Sequence, residues 1–384
     1  VLLVCALALA PATRGLISPR MVVFEKALDF RRKGALELIG KSIASTVAIA
    51  IAVTTGSYWA VAAGTVMTPT IMMIGSYVMA PMRPRLTLSD WPLFSDLIGW
   101  NFVSQTITAV NWQIDRILLP RFIDVASFGR FAAANDLSAL PYQAIAQPAA
   151  APLMAAFASA QEKGRLREAY LSSSASLMLL LLPIFVFMAM LSGPVILVLL
   201  GPDWVEASPI LAGLAIASIV SVPAIPMSPL VMVLGKSRSL AVRSGIEFVV
   251  RIPLGIVGVI FFGAAGAVAA RTVASLVVSA SSLALVRSVA TISFADQIKV
   301  TIRPIVAMIP SVIVLLLCER FMDFDAHLYA SFFASGSLFC LMYGLCVYGL
   351  WVKAGYPAGV EGIALRFAAR LLSRLRGSPE DPNA

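Results

Sequence analysis

Long runs of apolar residues, broken by short charged or turn-forming segments, constrain this sequence more than any other feature. Most runs reach the roughly 20 residues that one helix needs to cross a bilayer. The chain is 59% hydrophobic and 13% charged, whereas soluble domains average about 45–50% and about 25%. We therefore predict an all-α, polytopic membrane protein with about eleven transmembrane helices. The predicted spans are residues 1–24, 38–56, 60–80, 95–118, 126–147, 171–200, 206–234, 244–263, 266–286, 300–318 and 328–351.

The sixth and seventh predicted spans differ from the others in length and proline content. Each runs to about 30 residues and contains more than one proline. A membrane helix tolerates proline when its neighbours satisfy the freed carbonyl groups. We therefore expect these two spans to be tilted or interrupted.

The Lys and Arg residues are concentrated in alternate connections. Six segments carry 21 of the 29, and the intervening connections carry Arg121 and Arg320. Because cytoplasmic connections are enriched in Lys and Arg, we predict that the six segments and the C-terminus are cytoplasmic. A nucleic-acid-binding protein has no reason to alternate its charges, so no nucleic-acid partner is predicted. The segments are residues 25–41, 81–96, 163–167, 236–243, 287–303 and 353–376.

Little in the sequence suits an enzyme or a metalloprotein. The four cysteines lie in or beside apolar stretches without metal-ligand spacing, and His327 is the single histidine. Connections on the opposite side, such as TTGSYW and GPDWVE, are too short for a catalytic domain. We predict a transporter and not an enzyme, with no metal site and no cofactor. An integral-membrane transferase and a non-transporting scaffold are the alternatives from other classes; the first would need a catalytic motif at a helix end.

A weak internal repeat divides the chain. Residues 19–64 match residues 229–274 without gaps at an offset of 210, which pairs Lys33 with Arg243 and Gly56 with Gly266. A parallel repeat of this kind is typical of transporters built from two similar halves. It predicts two pseudo-symmetric lobes plus a C-terminal helix pair, with about three helices missing before residue 1. The predicted parts are 1–80 (rest of the N-terminal lobe), 81–94 (cytoplasmic linker), 95–290 (six-helix C-terminal lobe), 291–351 (terminal pair) and 352–384 (basic cytoplasmic tail, with an amphipathic helix at 357–376).

Polar residues recur at three- and four-residue steps along the fourth span. Lipid does not tolerate such a face, so it should line water or protein. The fifth span repeats the pattern with Asp136, Gln143 and Gln147, while Arg14 and Arg130 are intramembrane cations of the first and fifth spans. For any one of these residues, hydrogen bonding between helices is an equally good interpretation. The stripe of the fourth span comprises Asn101, Ser104, Gln105, Thr108, Asn111, Trp112 and Asp115.

Four other intramembrane charges receive a plainer interpretation. Glu247 and Arg251 are spaced i,i+4, and we expect an exposed or snorkelling ion pair. Arg116 and Arg271 lie near the outer ends of their spans, where contact with a cavity and contact with lipid headgroups both stay open.

Several stretches resemble one family. NWQIDRILLPRFIDVASFGRFAAANDLSALP resembles the seventh and eighth helices of polysaccharide-exporting flippases, within the multidrug/oligosaccharidyl-lipid/polysaccharide exporter superfamily. EKALDFRRKGALELIGK, LLGPDWVEASPIL and VRIPLGIVGVIFFGAAGAVAA are similar as well, and the resemblance covers roughly residues 1–350. Such proteins have fourteen helices in two six-helix lobes and a terminal pair. On that pattern this chain would hold helices four to fourteen.

The resemblance implies a bacterial inner-membrane transporter that flips an undecaprenyl-pyrophosphate-linked oligosaccharide during polysaccharide synthesis. The polar stripes would then form the path of the sugar, and Arg14 and Arg130 would bind the pyrophosphate. Asp136 should face water or pair with one of those arginines, and it could couple transport to H⁺ or Na⁺. A cation-coupled multidrug exporter and a peptidoglycan-precursor flippase of the same fold are the alternatives.

Overall fold

The computed structural model describes residues 2–26, 29–82, 91–324, 326–353 and 355. Over these residues the chain consists of α-, 3₁₀- and π-helices joined by turns, without a strand. Seven of the described helices or helix runs are long and apolar enough to cross a membrane. The prediction of an all-α, multi-pass membrane protein is thereby confirmed. The predicted helix of the tail, 357–376, lies outside the described residues.

The chain forms two compact units, residues 1–91 and residues 92–384. The division falls inside the predicted linker 81–94, of which residues 83–90 lie outside the described part. The six-helix lobe and the terminal pair stay predictions as separate domains. The first unit contains α1 (Leu2–Gly15), α2 (Val22–Lys26), α3 (Phe30–Thr55) and α4 (Trp59–Met79).

The second unit holds the remaining helices, and each predicted span of this region coincides with a helix or a run of helices. As predicted, the sixth and seventh spans are interrupted, at Leu191 and at a 3₁₀ turn over Val222–Ala224. The helices are α5 (Trp91–Leu118), α6 (Val125–Pro141), α7 (Gln147–Glu162), α8 (Leu166–Met190), α9 (Ser192–Leu199), α10 (Ser208–Ser221), α11 (Met227–Val233), α12 (Ser237–Ala290), α13 (Phe294–Phe321) and α14 (Leu328–Lys353).

The long helix α12 is a hairpin of two antiparallel halves, which turns at Gly263. That residue has φ 58° and ψ −138°, a conformation open mainly to glycine. A Cβ atom on Gly266 would overlap the backbone carbonyl of Gly258, so the two halves approach as closely as glycine allows. This contact fixes the spacing of the side chains that the two halves carry.

A similar turn occurs in the first unit. The helix α3 ends at Gly56, which has φ 60° and donates its N–H to the carbonyl of Ala52 at 2.9 Å. Residues 237–262 equal α3 in length and are likewise followed by a glycine of positive φ. In the structure Gly56 therefore corresponds to Gly263. The sequence alignment paired Gly56 with Gly266, so the two correspondences differ by three residues. Superposition of the repeats stays a prediction.

The terminal helices α13 and α14 pack on α8. Leu181, Leu315 and Phe339, one from each helix, are at most 1% exposed and belong to one apolar cluster. The hydroxyl of Tyr343 donates to the carbonyl of Leu179 at 3.1 Å. Two members of the cluster, Phe185 and Val222, also line a cavity of this unit.

Candidate functional site

The second unit contains a partly open cavity of about 410 Å³ between its helices. Its walls come from α5, the end of α6, α8, α10, α11 and both halves of α12. Hydroxyl, amide and charged groups share the lining with apolar side chains. The polar and charged lining residues are Asn101, Ser104, Gln105, Thr108, Ser138, Tyr142, Ser218, Ser221, Ser228, Arg243, Ser244, Glu247, Arg251, Arg271 and Ser275.

The polar stripe of α5 accounts for one wall. Asn101, Gln105 and Thr108 line the cavity, as the periodicity of an α-helix requires for residues three and four apart. The hydroxyl of Thr108 lies 3.3 Å from that of Ser244 on α12. Asn111 is fully buried and donates to the carbonyl of Ser244 at 3.3 Å, so this member of the stripe holds two helices together.

Asp115, the last residue of the stripe, is the centre of a charge network. One of its carboxylate oxygens, Oδ2, accepts from Arg251 Nη2 at 2.6 Å and from Arg271 Nη1 at 3.2 Å. The same Nη1 of Arg271 donates to Asn135 Oδ1 at 2.8 Å. The network therefore connects α5 and α6 with both halves of α12.

Glu247 extends the network along the first half of α12. Its Oε2 accepts from Arg243 Nη1 at 3.0 Å, and its Oε1 lies 3.7 Å from Arg251 Nη1. The expectation of an exposed or snorkelling Glu247–Arg251 pair is wrong, because the two side chains are 17% and 10% exposed. The i,i+4 spacing was correctly recognised, but helix packing supplies Arg251 with Asp115 as its nearer partner.

The remaining predicted residues of the second unit lie outside the cavity lining. Arg130 pairs with Glu206 at 2.6 Å, and Asp136 pairs with Arg116. Asp136 thus has a cationic partner, as expected, but that partner is Arg116 and not Arg130, which binds Glu206. Gln143 is exposed.

Arg14 belongs to the first unit, where it lies exposed in the last turn of α1. Its role toward a substrate stays a prediction.

The side of α6 that faces the cavity is rotated by one residue from the predicted side. Ser138 and Tyr142 line the cavity, and Asn135 binds Arg271, whereas Asp136 points elsewhere. Adjacent residues of a helix point about 100° apart, and both of these faces carry polar side chains. A π-helical turn, Tyr142–Ala146, then joins α6 to α7. Such turns occur often at functional sites.

Sequence reasoning missed the arginines of α12 as site residues. The charge pattern of the sequence places Arg243 in a cytoplasmic connection, and it does not decide between cavity contact and headgroup contact for Arg271. The available signal was the rarity of charged residues inside spans, which favours a functional position or a buried partner. Among the described residues, no group of three or more His, Cys, Asp or Glu side chains could hold a metal ion.

Fold and cavity define a multi-pass helical membrane protein with a polar, arginine-bearing interior. The polysaccharide biosynthesis protein family matches residues 1–209, more than half of the chain, and the protein belongs to this family. The matched range ends before α12, so the three arginines of that hairpin lie outside it.

Two known proteins are similar to this chain. The succinoglycan biosynthesis transport protein ExoT of Rhizobium meliloti (strain 1021) is 22% identical over 219 residues, which cover 56% of this chain and 44% of ExoT. The solved structure of the lipid II flippase MurJ, in an inward closed conformation, has a TM-score of 0.56 at 17% identity. That match covers 82% of this chain and 66% of MurJ, and it shows the fold. The chain thus spans about half to two thirds of these proteins.

Proposed function

We propose that the protein takes part in flipping an undecaprenyl-pyrophosphate-linked oligosaccharide across the bacterial inner membrane for exopolysaccharide or O-antigen synthesis. The observation that carries this proposal is the polar cavity of about 410 Å³ among membrane helices. Amides and hydroxyls can replace the hydrogen bonds that a sugar makes with water. Membership of the polysaccharide biosynthesis protein family supports the substrate class.

The charges of the lining favour an anionic substrate over a cationic drug. Arg243, Arg251 and Arg271 outnumber the two carboxylates that pair with them, Asp115 and Glu247. A peptidoglycan-precursor flippase is the second candidate, favoured by the likeness of the fold to MurJ. Both candidates carry a lipid-linked diphosphate, so the sugar would distinguish them.

Coupling to H⁺ or Na⁺ stays a proposal. Asp136, the carboxylate predicted to couple transport, binds Arg116, and Asp115 in the inner network binds Arg251 and Arg271. A coupled ion would have to compete with a guanidinium at either position. A transport rate that follows an imposed H⁺ or Na⁺ gradient would support coupling, and a rate independent of both gradients would refute it.

We further infer a transporter without enzymatic activity and with a cytoplasmic C-terminus. The alternation of Lys- and Arg-rich connections supports the orientation. The similarity to the transport protein ExoT supports the class of a transporter. Single cysteines placed at residues 163 and 236 should resist labelling by a membrane-impermeant thiol reagent in intact cells. Labelling of both would reverse the orientation.

The transport proposal is tested in proteoliposomes that carry a fluorescent undecaprenyl-diphosphate sugar. Flipping exposes the label to an impermeant quencher, so the rate of signal loss measures transport. We expect Gln105→Leu to slow flipping severalfold, because Gln105 lines the cavity. Gln113→Leu is the matched control, since Gln113 lies on the same helix, exposed and outside the lining. Equal rates for both variants, or no flipping by the unaltered chain, would contradict the proposal.

A further inference from the structure

The charges around the cavity do not balance. Three guanidiniums, of Arg243, Arg251 and Arg271, face two carboxylates, of Asp115 and Glu247, within one connected network. All five side chains are between 10% and 23% exposed, so water screens them poorly. An excess positive charge in such a place attracts an anion more strongly than the same charge on an exposed surface.

Within the part of the chain that the structure describes, Arg251 has donor capacity that no acceptor uses. The residue is 9% exposed, and its Nε has no hydrogen-bond partner among the described residues. Its Nη2 donates to Asp115, but its Nη1 lies 3.7 Å from Glu247, too far for a hydrogen bond. A buried donor without a partner is costly unless a ligand supplies the acceptor. Arg251 lines the cavity, where a ligand has access to it.

The surrounding groups suit a phosphate better than a single carboxylate. Arg271 comes from the other half of α12, so the guanidiniums approach from two helices. The hydroxyls of Ser244 and Ser275 line the same cavity and can donate to a ligand, whereas that of Thr108 already donates to the carbonyl of Ser104 at 2.8 Å. A phosphate group offers several strong acceptor oxygens, and its geometry matches the planar donors of arginine.

We propose that Arg243, Arg251 and Arg271 form a phosphate-binding subsite in this cavity, with Asp115 as the resident anion that an incoming phosphate displaces. Asp115 Oδ2 already occupies the position between two guanidiniums that a ligand oxygen would take. The identification of the ligand as a lipid-linked diphosphate rests on the proposed function. The subsite itself does not, because phosphate binding can be measured without transport.

Binding of inorganic diphosphate to the purified full chain in detergent, followed by calorimetry, tests the subsite. We expect Arg251→Gln to weaken binding by about tenfold or more, since it removes charge-assisted hydrogen bonds. Arg167→Gln is the control, because Arg167 pairs with Asp296 outside the cavity and is 58% exposed. Its affinity should match that of the unaltered chain.

Two further variants separate binding from a general loss of structure. Asp115→Asn and Glu247→Gln each remove a carboxylate that competes for the guanidiniums, so both should bind diphosphate more tightly. A folding defect cannot raise affinity. The second variant keeps the test valid if the first does not fold. Unchanged or weaker binding in every folded carboxylate variant would overturn the proposal, as would equal losses for Arg251→Gln and Arg167→Gln.

The source of the phosphate is decided by competition. An isoprenyl diphosphate that displaces inorganic diphosphate from the chain in phosphatidylglycerol nanodiscs would identify a lipid-linked diphosphate. Loss of diphosphate binding on adding phosphatidylglycerol to detergent micelles would instead identify a phospholipid headgroup at the same subsite. If Arg251→Gln abolishes binding but sugar-lipid flipping continues at the normal rate, the subsite exists and does not serve transport. Flipping that fails in the unaltered chain while diphosphate still binds would refute only the transport proposal.

Discussion

Two sets of ion pairs lie side by side in the second unit, and neighbouring residues belong to different sets. Asp115 joins the inner network with Arg251 and Arg271, whereas Arg116 joins an outer pair with Asp136. The inner side chains are 10–23% exposed, but those of Arg116 and Asp136 are 47% and 61% exposed. One step along a helix thus separates a buried charge from an exposed one.

The difference in burial changes what each charge contributes. An exposed ion pair gains little, because water and salt screen it and two long side chains lose freedom. A buried charge has already lost its hydration, so removal of its partner leaves a large penalty uncompensated. The inner network should therefore be sensitive to single substitutions and the outer pair tolerant of them.

The largest effect should come from removing the centre of the inner network. Asp115→Ala leaves Arg251 and Arg271 without their shared acceptor, and we expect a loss of about 3–5 kcal/mol in stability. Asp136→Ala is the matched change in the outer pair and should cost no more than about 1 kcal/mol. Unfolding of the purified protein in detergent measures both. Equal losses would remove the distinction between the two sets.

The inner network also depends on how closely the two halves of α12 approach. Gly266→Ala places a methyl group on the carbonyl of Gly258, and a backbone atom cannot move aside as a side chain can. We expect a loss of about 1–3 kcal/mol, together with weaker coupling between Arg271 and Asp115. Gly255→Ala meets open space and should be neutral, or more stable by up to about 1 kcal/mol.

A double-mutant cycle between Asp115 and Arg271, repeated in the Gly266→Ala background, measures that coupling. A smaller interaction energy in this background would support the role of the hairpin. An undiminished interaction energy would show that the network adapts to a wider hairpin.

The helices could be predicted from the sequence because the signals are local. They are the length of each apolar run and the glycines and charged residues at which it ends. The hairpin turn near Gly263 and the breaks in the sixth and seventh spans follow from such signals. The stripe of α5 was also predictable, because its polar residues repeat with the period of one helical face. Asn101, Gln105 and Thr108 lie where that period places them.

The partners of the charges could not be predicted in this way. Arg251 and Asp115 are 136 positions apart, and no local rule brings them together. The i,i+4 spacing predicted Glu247 as the partner of Arg251. Glu247 lies 3.7 Å from Arg251, farther than Asp115 at 2.6 Å. On α6, Asn135 and Asp136 are both polar, so periodicity alone did not select the inward face. Tertiary packing determines both the partners of these charges and the face of α6 that points inward.

The smallest effect should come from a carboxylate that belongs to neither set. Asp124 caps α6, the helix that carries Asn135 and Asp136, and its Oδ2 accepts from the backbone N–H of Ser127 at 2.9 Å. These hydrogen bonds to Ser127 lower the pKa of Asp124 below its ordinary value of 3.8. Asp124→Ala should lower the midpoint temperature by roughly 1–3 °C. Asp124→Ser keeps a capping oxygen and should recover most of the loss.

The pH dependence of this cap follows from the lowered pKa of Asp124. Because the pKa is lower in the folded state, the stabilisation by the charge is complete above the ordinary pKa and disappears as the pH falls through the folded-state pKa. The difference between the unaltered chain and Asp124→Ala should therefore persist at neutral pH and shrink as the pH falls below the ordinary pKa value of the carboxyl, while Asp124→Ser stays insensitive to pH. A difference that grows on acidification would show that the carboxylate acts through something other than the cap.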